Sequence, residues 1–379
     1  MSTCLLRREP VVNRHKAIIA TRLISHAATA ADAAADFKRL ADIWPDARTV
    51  LISLAEALPD EGLLAWQPPE NVMVELPAAR LAEPPLQGLV QQLAASRVPI
   101  CLDGYAPGMV LPPLQFRFML ADAARHPRMQ NAPGLMLGKH LASLQDFEEA
   151  MDNGYSGATG WFFLKGMPVA SKLDATHGQI VRVLNLVRRN AEIKEVEAAL
   201  KQDVTLSFKL LRYINSAGFG LATQIQSFKH AVTLLGYDKL NKWLSLLLVT
   251  ASKDAAAPAL MQTAIIRGRF MEIAGQAAGG FDKTQTDNLF ITGAFSLLDV
   301  LLGTRMEAVL EQMTLPETIA GALLQRNGPY GPWLDLALAS EGEDAAAIHA
   351  GVAALGLDIE RVNRAQIEAQ VFADSLQFN

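Results

Sequence analysis

The residues that most often hold metals or move protons are scattered along this chain. Its seven histidines are His15, His26, His126, His140, His177, His230 and His349. A histidine-held metal needs two ligands about one helical turn apart, or a histidine beside a carboxylate, so that both meet on one face. None of the seven forms an HxxxH pair or a His-Asp dyad. Cys4 and Cys101 lie far apart, and two isolated thiols point to a reducing cytoplasm rather than a disulfide framework. Gly279-Gly280 lacks the strand-turn-helix setting of a phosphate loop. Asn215-Ser216 reads as a structural turn, with Asn215 bonding local backbone. Trp161-Phe162-Phe163 could stack on a base, but reads first as core.

The elements that would position a site change character part-way along. In the first half, apolar runs at 11–12, 17–20, 50–54, 72–76, 98–102, 116–120 and 135–137 read as strands, with helix-like segments at 31–44 and 85–96. Such alternation predicts parallel βα units, in a barrel or a doubly wound sheet. Ser143 caps a helix running through Phe147 and Met151 and ending near Asn153-Gly154. Residues 160–163 read as a short aromatic strand. Gly166-Met167-Pro168 closes this half, and 170–176 reads as a linker.

From about Gly178 leucine- and alanine-rich helical patterns take over. The stretch 205–249 reads as three short helices. The first carries Leu206, Leu210, Leu211 and Ile214 on one side and stops at Asn215-Ser216-Ala217-Gly218. The second is capped by Ser227, buries Phe228, Ala231, Val232 and Leu235, and ends at Gly236. The third starts at Asp238 and buries Leu240, Trp243, Leu244 and Leu247. Leu246, Leu248 and Val249 widen its stripe almost to a full circle, which makes it central to a core. A break follows at 254–258. Thr286-Asp287 begins a further helix with Phe290, Ile291, Ala294, Leu297, Leu298 and Leu301 on its apolar face, and Pro316, Pro329 and Pro332 punctuate the rest. No internal repeat is present.

The 379 residues allow two or three domains. Half are hydrophobic and 19% are charged, enough to bury large cores. A net charge of -5 with scattered Lys and Arg argues against a nucleic-acid binder. No apolar run approaches the ~18 residues of a membrane span, and MSTCLLRREP has no secretory h-region.

Two stretches carry family resemblances. LLRYINSAGFG, SFKHAVTLLG and the leucine-rich helix after them resemble the signature of the HDOD domain. That family is an all-helical relative of HD-type phosphohydrolases without their metal-binding histidines. The one HD-like helix, FSLLD ending at Asp299, has no His before its Asp. REPVVNRHKAIIATRLISH, then VMVELPA, ICLDGYAP and SLQDFEEAMDNGYSGATGWFF, resemble EAL domains, the barrels that hydrolyse cyclic di-GMP. The resemblance covers residues 5 to about 169, and EAL followed by HDOD is a known order.

The EAL resemblance implies a site of carboxylates and an Asn around divalent metals, because hard cations take oxygen ligands and activate water. Carried over to this chain, the motif Glu falls at Arg22, where a cation repels the metal. The family Asn falls at Ser53. Glu75 matches a family carboxylate, and of the Asp-Asp pair at Asp103-Gly104 the first remains. No Lys stands in QFRFML, where Arg117 is the substitute on offer. The late Glu falls within 138–140, where GKH is neutral or basic, so His140 reads as a surface or supporting histidine. The substrate-side Gln falls at Thr159. Arg22, Ser53, Glu75 and Asp103 are thus the candidate barrel-mouth set, and they should not hold a two-metal centre. Glu75 and Asp103 also read simply as strand-end residues that cap loops or pair with Arg22.

The expectation is an α/β plus all-α chain: an EAL-like (β/α) TIM-type barrel over 1–169, its first strand antiparallel by resemblance, and an HDOD helical bundle over 170–379. The expected role is non-catalytic, cytoplasmic signal transduction through unidentified protein partners. The alternatives are a sensor that binds cyclic di-GMP without cleaving it and a residual phosphodiesterase. No metal, cofactor, nucleic acid or membrane insertion is expected.

Overall fold

A closed ring of eight strands forms the first of two compact units, Met1–Gly166 and Met167–Asn379. The computed structural model describes residues 4–129, 132–164, 175–202, 228–250 and 257–376. The expected helix at 206–214, its turn at 215–218, Ser227, the closing Gly166-Met167-Pro168 and the break at 254–256 lie outside the described residues. So do the side chains of Phe228, Ala231, Val232, Leu235 and Trp243.

The strands are β1 (Leu6–Asn13), β2 (Ile18–Ser25), β3 (Thr49–Leu54), β4 (Val72–Pro77), β5 (Ile100–Asp103), β6 (Phe116–Asp122), β7 (Leu135–Lys139) and β8 (Gly157–Thr159), paired in that order around the ring. β1 runs antiparallel to β2 and β8, and the other pairs are parallel. This is the orientation the EAL resemblance implies. Gly157 lies where β8 meets β1, and a Cβ there would come 2.5 Å from the Val12 carbonyl oxygen.

A two-residue period fills the interior. Val11, Ala20, Leu51, Met73, Cys101, Phe118, Leu120 and Leu137 form one buried cluster. Two residues after Ala20, Leu51, Met73, Cys101 and Leu137 stand Arg22, Ser53, Glu75, Asp103 and Lys139. One apolar layer therefore carries a polar layer toward the C-terminal ends of the strands, where the sites of such barrels are built.

Helices Ala30–Arg39, Pro84–Ala95 and Leu144–Asp152 follow β2, β4 and β7. The last begins at its expected cap, with Ser143 Oγ accepting from the Asp146 N–H. Among the described residues no α-helix joins β5 to β6 or β6 to β7, although strand-helix alternation predicts one. Pro107, Pro112 and Pro113 in the first connection, and Pro127 and Pro133 in the second, remove helix donors. The aromatic strand expected at 160–163 is instead β8 followed by a 3-10 turn, Phe162–Leu164. Phe162 stacks on Phe147 at 4.7 Å, so this aromatic group is core.

In the second unit, Ala175–Arg188 and Ile193–Lys201 precede Phe228–Thr250, which bends at Gly236, where φ is 74°. Leu240, Leu244, Leu246, Leu247, Leu248 and Val249 are all buried, as the wide stripe requires. Ala257–Ala278 crosses Lys283–Phe295 very closely: a Cβ on Gly293 would lie 2.7 Å from the Arg267 carbonyl oxygen. Lys283–Phe295 starts before the expected Thr286 because Asp282 and Gln285 form a capping box, and it stops before Leu297; Leu298–Leu302 is a separate helix. Short helices follow, then Ile359–Ser375. No helix among the described residues is long and apolar enough to cross a membrane.

Two substitutions test this core. Gly293→Ala should cost about 1–3 kcal/mol by forcing the crossing helices apart. Leu247→Ala should cost about 2–5 kcal/mol. Urea unfolding followed by helical circular dichroism measures both, and a loss below about 0.5 kcal/mol for Leu247→Ala would show that its helix is not central.

Candidate functional site

A guanidinium lies inside the barrel because β2 places Arg22 one interior step beyond Ala20. Its side chain is 9% exposed and that of Glu75 is 4%. Arg22 Nε donates to Glu75 Oε2 at 2.7 Å and Nη2 to Glu75 Oε1 at 2.6 Å, a two-pronged contact that fits the planar fork to the carboxylate. Nη1 donates to Glu9 Oε2 at 3.0 Å, and Nη2 also donates to Ser53 Oγ at 3.1 Å. The Ser53 hydroxyl in turn donates to Glu75 Oε1 at 2.8 Å. Arg7 Nη2 meets the other Glu9 oxygen at 3.1 Å. Burial alone would push the Arg22 guanidinium down, but Glu75, then Glu9 and Asp103, overcome it and hold the charge firmly in place.

Arg22, Ser53 and Glu75 thus come together as one network. Asp103 joins a different pair: Lys139 Nζ donates to its Oδ1 at 2.7 Å across the barrel layer. Lys139 lies within 138–140, where the EAL resemblance implies a late Glu. Between these pairs Cys101 is fully buried; burial first, then the Glu75 charge, push its thiol well up, leaving it protonated and unreactive. Thr159 is buried in β8. Arg117 does not reach the mouth: it is exposed on the outer side of β6, its guanidinium 5.8 Å from the Phe118 ring centre. His140 is a surface residue, with Nδ1 3.3 Å from Asp122 Oδ2. Trp161 lies beneath the Arg8 guanidinium at 4.9 Å.

Glu9 was not among the candidates. Arg7 and Glu9 share the inward face of β1 with Val11, but three charges in Arg7-Arg8-Glu9 hide the first part of the strand. The alternation Arg7, Glu9, Val11 is the signal that could have found it. The donor set does not fit the metals that the EAL resemblance implies. Both Glu75 oxygens and both Glu9 oxygens accept from arginines, and Asp103 accepts from a lysine. Among the described residues no group of three His, Cys, Asp or Glu could hold a metal.

Residues 173–294 match the HDOD domain family. The match stops before the last helices, which continue to Ser375. The chain is 30% identical over 244 residues to "Cyclic di-GMP phosphodiesterase CdgJ" of Vibrio cholerae, covering 63% of this chain and 56% of that protein. It is 23% identical over 207 residues to "Uncharacterized protein YuxH" of Bacillus subtilis, covering 53% of this chain and 50% of that protein. The chain therefore spans about half the length of these curated relatives. The solved Klebsiella pneumoniae BlrP1 calcium/cy-diGMP complex aligns at 14% identity over 43% of this chain and 55% of that chain, with a TM-score of 0.32. The family match and the first relative support an EAL-like barrel followed by an HDOD domain.

The buried network makes a stability prediction. Arg22→Met should cost about 3–5 kcal/mol, because Glu75 is left ionised without its partner. Arg22→Met combined with Glu75→Leu should recover most of that loss. Unfolding midpoints of the three variants measure this; a single variant as stable as the parent would mean that water, not Arg22, satisfies Glu75.

Proposed function

We propose that this protein works in cyclic di-GMP signalling as a non-catalytic regulator that acts by binding protein partners in the cytoplasm. One observation carries the reading: the Arg22 guanidinium is seated two-pronged on Glu75, the carboxylate that matches a family ligand. Metal-assisted phosphodiester cleavage needs free oxygen ligands to hold the ion and sharpen a water. Here the surviving carboxylates neutralise internal cations instead. The similarity to a protein named as a cyclic di-GMP phosphodiesterase supports the signalling context.

A sensor that binds the nucleotide without cleaving it has weaker support. Arg22 and Lys139 are the mouth cations best placed to meet a phosphate, and each is already committed to a carboxylate. A ligand phosphate would have to displace Glu75 or Asp103 at the cost of leaving that carboxylate unpaired.

The purified chain should not hydrolyse cyclic di-GMP with Mg²⁺ or Mn²⁺. Arg22→Glu alone should not start turnover, since Ser53, Gly104 and Lys139 also depart from the family pattern. Product chromatography decides this: metal-dependent turnover lost on changing Glu75 or Asp103 would overturn the reading. Calorimetric titration of cyclic di-GMP with and without Mg²⁺ should give no heat beyond dilution, and saturable binding would favour the sensor.

A further inference from the structure

Outside the barrel, the helical unit holds an open groove of about 510 Å³ between Ala175–Arg188 and Ile193–Lys201. That is within the usual ~300–1,000 Å³ of ligand sites. Its depth comes from small residues, Gly178 and Ala198, on facing helices; a Cβ on Gly178 would meet no atom within 4 Å. Val181, Leu186 and Ala199 make an apolar floor.

The far wall is held in place before anything binds. Asn185 Nδ2 donates to the Gln312 carbonyl at 2.9 Å, and its Oδ1 accepts from the Thr314 N–H at 2.8 Å. Arg188 Nη1 donates to the Thr314 carbonyl at 3.1 Å. The wall thus comes from a remote turn, tied to the groove by three hydrogen bonds.

The rim has a charge left over. Of its three charged residues, Arg189 is paired with Glu195. Arg182 donates to Gln202 Oε1 at 2.9 Å, a neutral acceptor, and no carboxylate among the described residues pairs with it. Behind the wall, among the described residues, Arg188 likewise meets neutral acceptors, Asn241 and the Thr314 carbonyl, and its Nη2 is buried with no hydrogen-bond partner. Burial pushes that guanidinium down to about 10. An occupant that suits this groove has apolar side chains for the floor and a carboxylate for the rim.

We propose that the groove between these two helices docks an acidic, amphipathic peptide segment of a partner protein. The inference rests on the reading that this chain acts through protein contacts, and it names where one of them forms. Arg182 takes the carboxylate, a charge-assisted contact in its fork geometry, and the floor between Gly178 and Ala198 takes an apolar side chain in the manner of helix-in-groove recognition.

The test is a random-peptide phage library selected on the full chain. Enriched peptides should carry Asp or Glu beside apolar residues. Their affinity, read by fluorescence anisotropy, should fall about tenfold or more on Arg182→Glu. It should fall equally on Ala198→Trp, which fills the groove without changing charge. Circular dichroism confirms that both variants fold. No enrichment, peptides without acidic residues, or peptides that bind both variants like the parent would overturn the proposal. Cyclic di-GMP turnover by the parent would remove the non-catalytic reading and leave this peptide result standing on its own.

Discussion

The seating of Arg22 on Glu75 is the constraint on which the polar end of the barrel depends. A guanidinium inside a protein is tolerated only where its donors meet acceptors and its charge meets the opposite charge. Arg22 needs Glu75 for the fork and Glu9 for the remaining donor, and Ser53 closes the network onto Glu75. Glu9 then needs Arg7. One side-chain network thus spans four strands that the backbone ladders already join. The same logic repeats on the other side of the barrel, where Lys139 settles on Asp103. In both places a cation faces a carboxylate: Arg22 stands where the EAL resemblance implies an acidic ligand, and Lys139 lies within 138–140, where it implies another.

Much of this barrel can be read from alternation. The interior positions of β2 to β5 recur every two residues, so the expected strands at 50–54, 72–76 and 98–102 lie on β3, β4 and β5. The helix capped by Ser143 and the wide stripe around Leu244 and Leu247 are equally legible, because cap chemistry and a 3.6-residue period are local. What the sequence leaves open is which carboxylate takes which cation. Glu75 and Asp103 both read as partners for Arg22; the parallel register brings Glu75, 53 residues away, to its level, and Asp103 meets Lys139 instead. Of β1 only the end at 11–12 is legible from apolar residues, because Arg7 and Glu9 break the apolar pattern over its first part. The helix at Lys283–Phe295 is legible from its apolar face, but its start is not: the capping box of Asp282 with Gln285 begins it ahead of the expected Thr286.

The helical unit shows how backbone proximity, rather than side-chain volume, can govern packing. Gly268 and Gly293 face each other across two helices, and either Cβ would press on the other helix's backbone. Such a crossing aligns Ala257–Ala278 and Lys283–Phe295 more tightly than leucines would. The groove between Ala175–Arg188 and Ile193–Lys201 uses small residues to the opposite end, since Gly178 and Ala198 leave space instead of closing it. In the first place glycine serves the core and in the second it leaves an open groove.

The antiparallel first strand has a kinetic consequence. β1 makes its earliest hydrogen bonds with β2, a neighbour in sequence, so the hairpin that joins Glu9 to Arg22 is a local structure. Its other edge pairs with β8, at the far end of the unit, where Val11 meets Thr159. Loop-closure entropy makes such a long-range pairing slow. During synthesis the open edge of β1 must therefore wait, unpaired, until β8 has emerged. An exposed strand edge is a template for wrong partners. The charged run Arg7-Arg8-Glu9 lies on the same strand just ahead of the waiting segment Val11–Asn13, and charge is a property that keeps a strand from pairing with a second nascent chain.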